Sequence, residues 1–222
     1  MDIVNEKWKT LLLGDCMSTL KQNNFQIPLI IGRDLNGKDV VEDLVQISNI
    51  LVAGTTGTGK RNLLNTFIVD TIYNSNPEEV KMILIDTRII VLIEDLCELM
   101  AYEKEDVEEA LIEIVKISRK VGIHLIISTY RTSTEIITGR IKSNIPTRIT
   151  FKLPSRVDSR TVIDKSGAEK LLPYGDALFI KVEERAPKRI QVPYISDEEI
   201  EKIIDEIKVE EKSNSSDEIM KV

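Results

Sequence analysis

Residues 49–53, Asn-Ile-Leu-Val-Ala, read as a buried strand, and the seven that follow, Gly54-Thr55-Thr56-Gly57-Thr58-Gly59-Lys60, lead into a helix with apolar positions at Leu63, Leu64, Phe67, Ile68 and Ile72. A G-x-x-x-x-G-K run between a strand and a helix leaves few alternatives. Its glycines let successive backbone N–H groups and the helix N-terminus converge on phosphate oxygens, while Lys60 adds a positive charge against the terminal phosphates. The segment therefore predicts a phosphate-binding loop inside an α/β domain. The next residue departs from the pattern. Arg61 stands where a Ser or Thr hydroxyl would ligate magnesium; a guanidinium cannot ligate a cation, although it can pair with phosphate oxygens directly. Poor hydrolysis is the expected consequence.

The flanking chain supports that setting. Pro28 to Ile31, a turn over Arg33 to Lys38, and Val40-Val41 read as a small β-hairpin. Further strands are expected at Met82 to Asp86, Ile89 to Ile93, His124 to Ser128, Ile149 to Leu153 and Asp176 to Val182, and a helix at Glu103 to Val121 closed by Gly122. Strands alternating with helices predict an α/β fold with a mostly parallel central sheet flanked by helices. Residues 1–26 are expected to form an N-terminal helical extension, kinked near Gly14 and anchored by Trp8. Residues 27–208 form the main domain and residues 209–222 a disordered polar tail. Ser196 with Glu199 predicts a capping box at the start of a last helix.

Ile90 to Ile93 runs into Glu94-Asp95, two carboxylates at the end of an apolar strand. In a nucleotide-hydrolysing site one such acid anchors hydrated magnesium and the next polarises the attacking water; the plainer reading is an acidic helix N-terminus. Cys16 and Cys97 lie far apart, without CxxC spacing and with His124 as the single histidine, so neither a zinc site nor a disulfide framework is indicated. His124, in an apolar strand, reads as a packed, hydrogen-bonded residue. The longest apolar run, Ile89 to Ile93, is far short of the roughly 20 residues a membrane-spanning helix needs. A reducing cytoplasm is the expected compartment. Net charge is -7, yet residues 116–165 hold 11 Lys or Arg against 3 Asp or Glu, so a basic section sits inside an acidic chain. Arg140, Lys142, Arg148, Arg156 and Arg160 are its candidates for contact with nucleic-acid phosphates, or else a solvated basic surface.

PLIIGRDLNGKDVVEDL, ISNILVAGTTGTGK, VGIHLIISTYRTS, ITGRIKSNIPTRITFKLPSRVDSRTVID and GAEKLLPYGDALF occur in this order. The chain thereby resembles the motor domain of the FtsK/SpoIIIE DNA translocases over about residues 27–208. The resemblance implies a RecA-like P-loop NTPase that binds ATP with Mg2+ and forms a homo-oligomer, a hexameric ring, around double-stranded DNA. It implies that Gly54 to Lys60 hold the phosphates and that Glu94 holds the metal. Asp95 would orient water, Tyr130 would occupy the polar sensor position usually filled by Gln, and Arg148 would reach a neighbour's phosphate. The family has Asp then Glu at the acidic pair, so their order here is reversed. It also places a long helical stretch where only Thr87-Arg88-Ile89 separates MILID from IVLIED. Three residues cannot carry a parallel crossover. The two segments therefore make one bent strand or a hairpin, or the sheet has lost an element. The expected function is an ATP-binding, DNA-associated motor domain with weak hydrolysis, standing alone or as a segment of a longer translocase. The alternative is an inactive pseudo-ATPase serving as a scaffold or regulatory subunit in a DNA-processing or DNA-transfer assembly.

Overall fold

The computed structural model describes residues 10–20, 25–74, 89–182 and 184–206. The expected strand Met82 to Asp86, the Thr87-Arg88 link, Trp8 and the tail 209–222 lie outside them. The first helix, α1 (Gly14–Leu20), begins at the glycine expected to kink it, and its Cys16 and Leu20 pack with Leu11, Leu13, Ile30, Val69 and Ile195. The hairpin forms as read, with β1 (Pro28–Asp34) antiparallel to β2 (Asp39–Asp43). Its turn is held by Asp34, whose Oδ1 accepts from the N–H groups of Asn36 at 2.9 Å and Lys38 at 3.0 Å. Asp43 then caps the short helix α2 (Leu44–Ile47).

The central run is β3 (Asn49–Ala53), α3 (Lys60–Asn74), β4 (Ile89–Ile93), α4 (Leu96–Tyr102), α5 (Lys104–Val121), β5 (Ile123–Thr129), α6 (Gly139–Asn144) and β6 (Thr147–Thr150). All five β3 residues are buried: Leu51 and Ala53 face one apolar cluster with Leu125 and Ile127, and Ile50 and Val52 face another with Phe67, Phe151 and Phe179. A strand covered on both faces needs apolar residues at every position, which is why this segment lacks alternation. Helix α5 ends at Gly122, whose φ of 70° is the left-handed cap its sequence predicts. His124 is buried, its Nδ1 3.2 Å from the Ser48 carbonyl oxygen. The chain continues through α7 (Arg156–Ile163), β7 (Asp176–Ile180) and β8 (Lys188–Gln191) to α8, helical over 197–206. There the capping box is reciprocal: Ser196 N–H donates to Glu199 Oε2 at 2.8 Å, and Glu199 N–H donates to Ser196 Oγ at 3.2 Å.

The sheet corrects the expected architecture. Its order is β2-β1-β8-β7-β6-β3-β5-β4. Three described pairings are parallel, β3 with β5, β3 with β6 and β4 with β5. Four are antiparallel, β1 with β2, β1 with β8, β6 with β7 and β7 with β8. The sheet is therefore mixed and more antiparallel than parallel; it is not the mostly parallel RecA-like sheet that helix–strand alternation suggests. The reason lies in the connections. β1–β2 and β7–β8 are joined by short links, which return a strand beside its predecessor only in the opposite direction. Strand β8, four largely polar residues, has no strand pattern in its sequence, yet it joins the hairpin to the main sheet.

Candidate phosphate-binding site

Strand order decides which residues can meet. Loops leaving the C-terminal ends of parallel strands open on one edge of the sheet, where ligands of α/β domains bind. That edge gathers Gly54 after β3, Glu94 after β4 and Tyr130 after β5. Because β7 and β8 run antiparallel to each other, the start of β7 and the end of β8 reach it too, as the Asp176–Gln191 pairing shows. A cleft of about 1940 Å³ runs along this edge, lined by Gly57, Lys60, Arg61, Glu94, Asp95 and Tyr130 among others.

The loop is braced on three sides. Thr55 N–H donates to the Lys152 carbonyl at 3.1 Å, Thr58 Oγ1 donates to the Thr55 carbonyl at 2.7 Å, and Gly175 N–H donates to the Thr58 carbonyl at 3.0 Å. These contacts explain two glycines. A Cβ on Gly54 would lie 2.7 Å from Phe151 Cβ, and one on Gly59, at φ +123°, would lie 3.1 Å from Gly175 Cα. Gly57 differs, since its φ of +78° puts the left-handed turn at the loop tip, where a Cβ would meet nothing within 4 Å. The 15-residue α3 begins three residues further on, so its first N–H groups open next to this turn. Lys60 is folded back, its Nζ donating to the carbonyls of Gly54 at 2.6 Å and Thr55 at 3.0 Å. Burial lowers the Lys60 pKa below its ordinary value, and the nearby Asp95 carboxylate works in the opposite direction. Lys60 and Asp95 are therefore within electrostatic reach of each other.

Arg61 and Glu94, both exposed, form an ion pair with Nε 3.4 Å from Oε1. Asp95 is the N-cap of α4, its Oδ1 accepting from Cys97 N–H at 2.9 Å. The acidic helix start that the sequence also allows is thus one of its roles. Tyr130 stands beside Cys97; that thiol first, through charge and a hydrogen bond, and then Asp95 raise the pKa of the phenol. Thr56 lines the cleft, whereas Thr55 and Thr58 serve the loop's own bracing. Among the described residues no group of three or more His, Cys, Asp or Glu could hold a metal ion. Arg61, at the position of the hydroxyl that would ligate magnesium, offers no ligand of its own.

Arg148 is not brought to the cleft. Its side chain is 12% exposed, and Nη1 donates to the Val162 carbonyl at 2.9 Å and to Asp164 Oδ2 at 2.8 Å. Other bases of the same stretch are also paired internally: Arg140 with Glu108, Lys142 with Asp164 and Arg156 with Glu169. Sequence reasoning passes over Asn62, Tyr174, Gly175, Gln191 and Tyr194, which frame the cleft on the side away from Glu94. The one available signal is the turn-forming Pro173-Tyr174-Gly175 run.

Residues 17–90 match the FtsK/SpoIIIE family. The chain is 32% identical to the DNA translocase FtsK of Caldanaerobacter subterraneus subsp. tengcongensis, an alignment covering 96% of this chain and 41% of that protein. It is 30% identical to the DNA translocase SpoIIIE of Bacillus subtilis, covering 86% and 33% respectively. The chain thus spans well under half the length of these relatives. The first alignment extends over 291 residues although the chain has 222, so that relative carries extra residues inside the shared span. Among solved structures, the conjugation coupling protein TcpA of pCW3, in its monomer form with ATPgS, superposes with a TM-score of 0.68 at 21% identity, covering 82% of this chain and 71% of that one. The cytoplasmic domain of the Thermomonospora curvata Type VII secretion ATPase EccC gives 0.73 at 16% identity, covering 86% and 32%. Both likenesses concern the fold.

Proposed function

We propose that this chain, whose sequence and fold match the FtsK/SpoIIIE ATPase family as a shortened motor domain, binds ATP on the loop Gly54–Lys60 and hydrolyses it slowly. The observation that carries the reading is the state of the loop: an open left-handed turn at Gly57, a helix N-terminus next to it, and a Lys60 ammonium parked on two loop carbonyls. Bound ATP supplies the triphosphate whose terminal anhydride bond is broken. The chain's own part is to exchange the Lys60 contacts with Gly54 and Thr55 for phosphate oxygens and to offer the first N–H groups of α3. Arg61 gives up Glu94 for a phosphate oxygen, and as a guanidinium it supplies no hydroxyl ligand for a metal. Asp95, which caps α4, is read as the group that would orient water, with Tyr130 near it. Arg148 is read as a structural clamp because its donors are already engaged.

The relatives are described as DNA translocases, which supports DNA as a partner; that the DNA is double-stranded, that further copies of this chain join it and that this happens in the cytoplasm are parts of the same proposal. No described helix is long and apolar enough to cross a membrane. With most bases of 138–160 paired internally, DNA phosphates would meet the exposed Lys152 and Arg160. The Arg61–Glu94 pair favours a second reading, a scaffold subunit that binds nucleotide without turnover. The short Thr87-Arg88 link is read as the place where the extra residues of the relatives are missing, since the family match ends at residue 90.

Calorimetric titration with ATP, with and without magnesium, followed by steady-state ATPase assays of wild type and Arg61→Ser, tests the proposal. ATP should bind in either condition, and Arg61→Ser should raise turnover by about tenfold or more. Absence of ATP binding in both conditions would overturn it; binding with no turnover in either protein would favour the scaffold.

A further inference from the structure

We infer that Tyr174 and Tyr194 form the base-stacking half of the nucleotide site, a platform that grips the purine ring of a nucleoside triphosphate by its faces. The inference rests on the phosphate-loop reading above.

Strand order gives the direction. Along the sheet edge the acids Glu94 and Asp95 follow β4, two strands from β3 on one side, whereas Tyr174 precedes β7 and Tyr194 follows β8, both on the other side. Terminal phosphates belong toward the acids, so the nucleoside must extend the opposite way. The same continuous cleft holds Lys60, Arg61, Tyr174, Gln191 and Tyr194.

The backbone that carries each ring is tethered to the phosphate-loop elements. Tyr174 immediately precedes Gly175, whose N–H donates to the Thr58 carbonyl of the loop at 3.0 Å. Its own carbonyl accepts from Gln191 Nε2 at 2.9 Å. The segment is locked again at Asp176, which accepts from Leu172 N–H at 2.7 Å and from Arg189 through both oxygens, at 2.9 and 2.8 Å. Tyr194 is held from either side by Asn62 in the first turn of α3: Nδ2 donates to the Pro193 carbonyl, and Oδ1 accepts from Ile195 N–H at 3.1 Å.

So firmly held a segment nonetheless presents its rings outward. Tyr174 is 84% exposed and Tyr194 51% exposed. Tyr174 also sits at φ +66°, a left-handed conformation that a bulky residue adopts only under constraint and that clusters at ligand sites. Exposed aromatic faces on a backbone held in place suit stacking against a flat heterocycle, an interaction that depends on π-area more than on edge pattern. Purines should therefore bind better than pyrimidines, with little discrimination between ATP and GTP.

The test measures ATP, GTP, CTP and inorganic tripolyphosphate affinities by calorimetry for wild type, Tyr174→Ala, Tyr194→Ala and Tyr174→Phe. Circular dichroism checks that each variant is folded. Wild type should bind ATP and GTP on the order of tenfold tighter than tripolyphosphate, with CTP between. Each alanine variant should lose about threefold for ATP, the two rings together accounting for the roughly tenfold difference, but keep wild-type tripolyphosphate affinity, and Tyr174→Phe should restore ATP binding. If ATP and tripolyphosphate bind wild type equally, or both alanine variants retain full ATP affinity, the platform is refuted while the phosphate loop stands. If wild type binds none of the four ligands, both readings fall together.

Discussion

Arg148 offers the sharpest separation between a folding role and a catalytic one. Replacing it with alanine removes a donor from the Val162 carbonyl at the end of α7, a pair with Asp164 and a contact of 3.3 Å to the Pro146 carbonyl. A hydrogen bond involving a charged group contributes about 1.5–3 kcal/mol. The Asp164 part must be discounted, because that side chain is 58% exposed and exposed pairs contribute about 1 kcal/mol or less. With the packing of the Arg stem, the total loss comes to about 3 kcal/mol. For a chain of this size that lowers Tm by about 6–12 °C. Differential scanning calorimetry of Arg148→Ala and Arg148→Lys measures it, with the lysine variant falling between. A pH series adds a second check. Burial pushes the Asp164 carboxyl up, but hydrogen bonds from Lys142 and Arg148, together with their charges, outweigh it and hold the carboxyl below its ordinary range. A lowered folded-state value means stability is present above the unfolded value of about 4 and is lost as pH falls through the folded one. The gap between wild type and Arg148→Ala should therefore narrow below about pH 4. An unchanged Tm together with loss of turnover that is restored by mixing with Lys60→Ala subunits would refute the clamp and establish a trans-acting arginine.

Gly59→Ala should cost about 1–3 kcal/mol, because the added carbon meets the Gly175 backbone at 3.1 Å in a left-handed conformation; urea denaturation gives the loss, and ATP affinity should fall with it. Asp70 on α3 is buried and accepts from Ile30 N–H at 2.8 Å, and burial pushes its carboxyl up to about 8 against the pull of that hydrogen bond. A raised folded-state value contributes stability below the unfolded value of about 4 that disappears as pH rises through about 8. Asp70→Asn should therefore flatten the decline in stability between pH 4 and 8, and urea midpoints that run parallel to wild type would contradict this.

What the chain revealed about itself followed the range of the interactions. The strand-to-helix turn at Gly54–Lys60, the hairpin turn at Asp34, the Gly122 cap and the Ser196–Glu199 box are each specified within a few residues, and the last three formed as read. The mixed sheet was not legible, because Lys188–Gln191 has neither the length nor the apolar content of a buried strand and takes its place by pairing with β1 and β7. The internal partners of Arg148 were not legible because Val162 and Asp164 lie a helix away. Asp95 was ambiguous for a related reason: one carboxylate can cap a helix and face a cleft, and spacing alone does not separate the two. Neither the turn around Tyr174 nor the segment around Tyr194 signals a site by its spacing, since what distinguishes them is a tether to Thr58 and Asn62 that only folding creates.

The place of β8 between β1 and β7 bears on the order in which the protein can assemble during synthesis. The hairpin emerges early from the ribosome, but the inner edge of β1 finds its mate only after Lys188–Gln191 has been translated, and that junction is short, Arg33 with Gln191 and Asp34 with Ile190. Until then the nascent domain carries an unmated strand border. A chain stalled before that point would be a substrate for chaperones, not a smaller working version of the same machine.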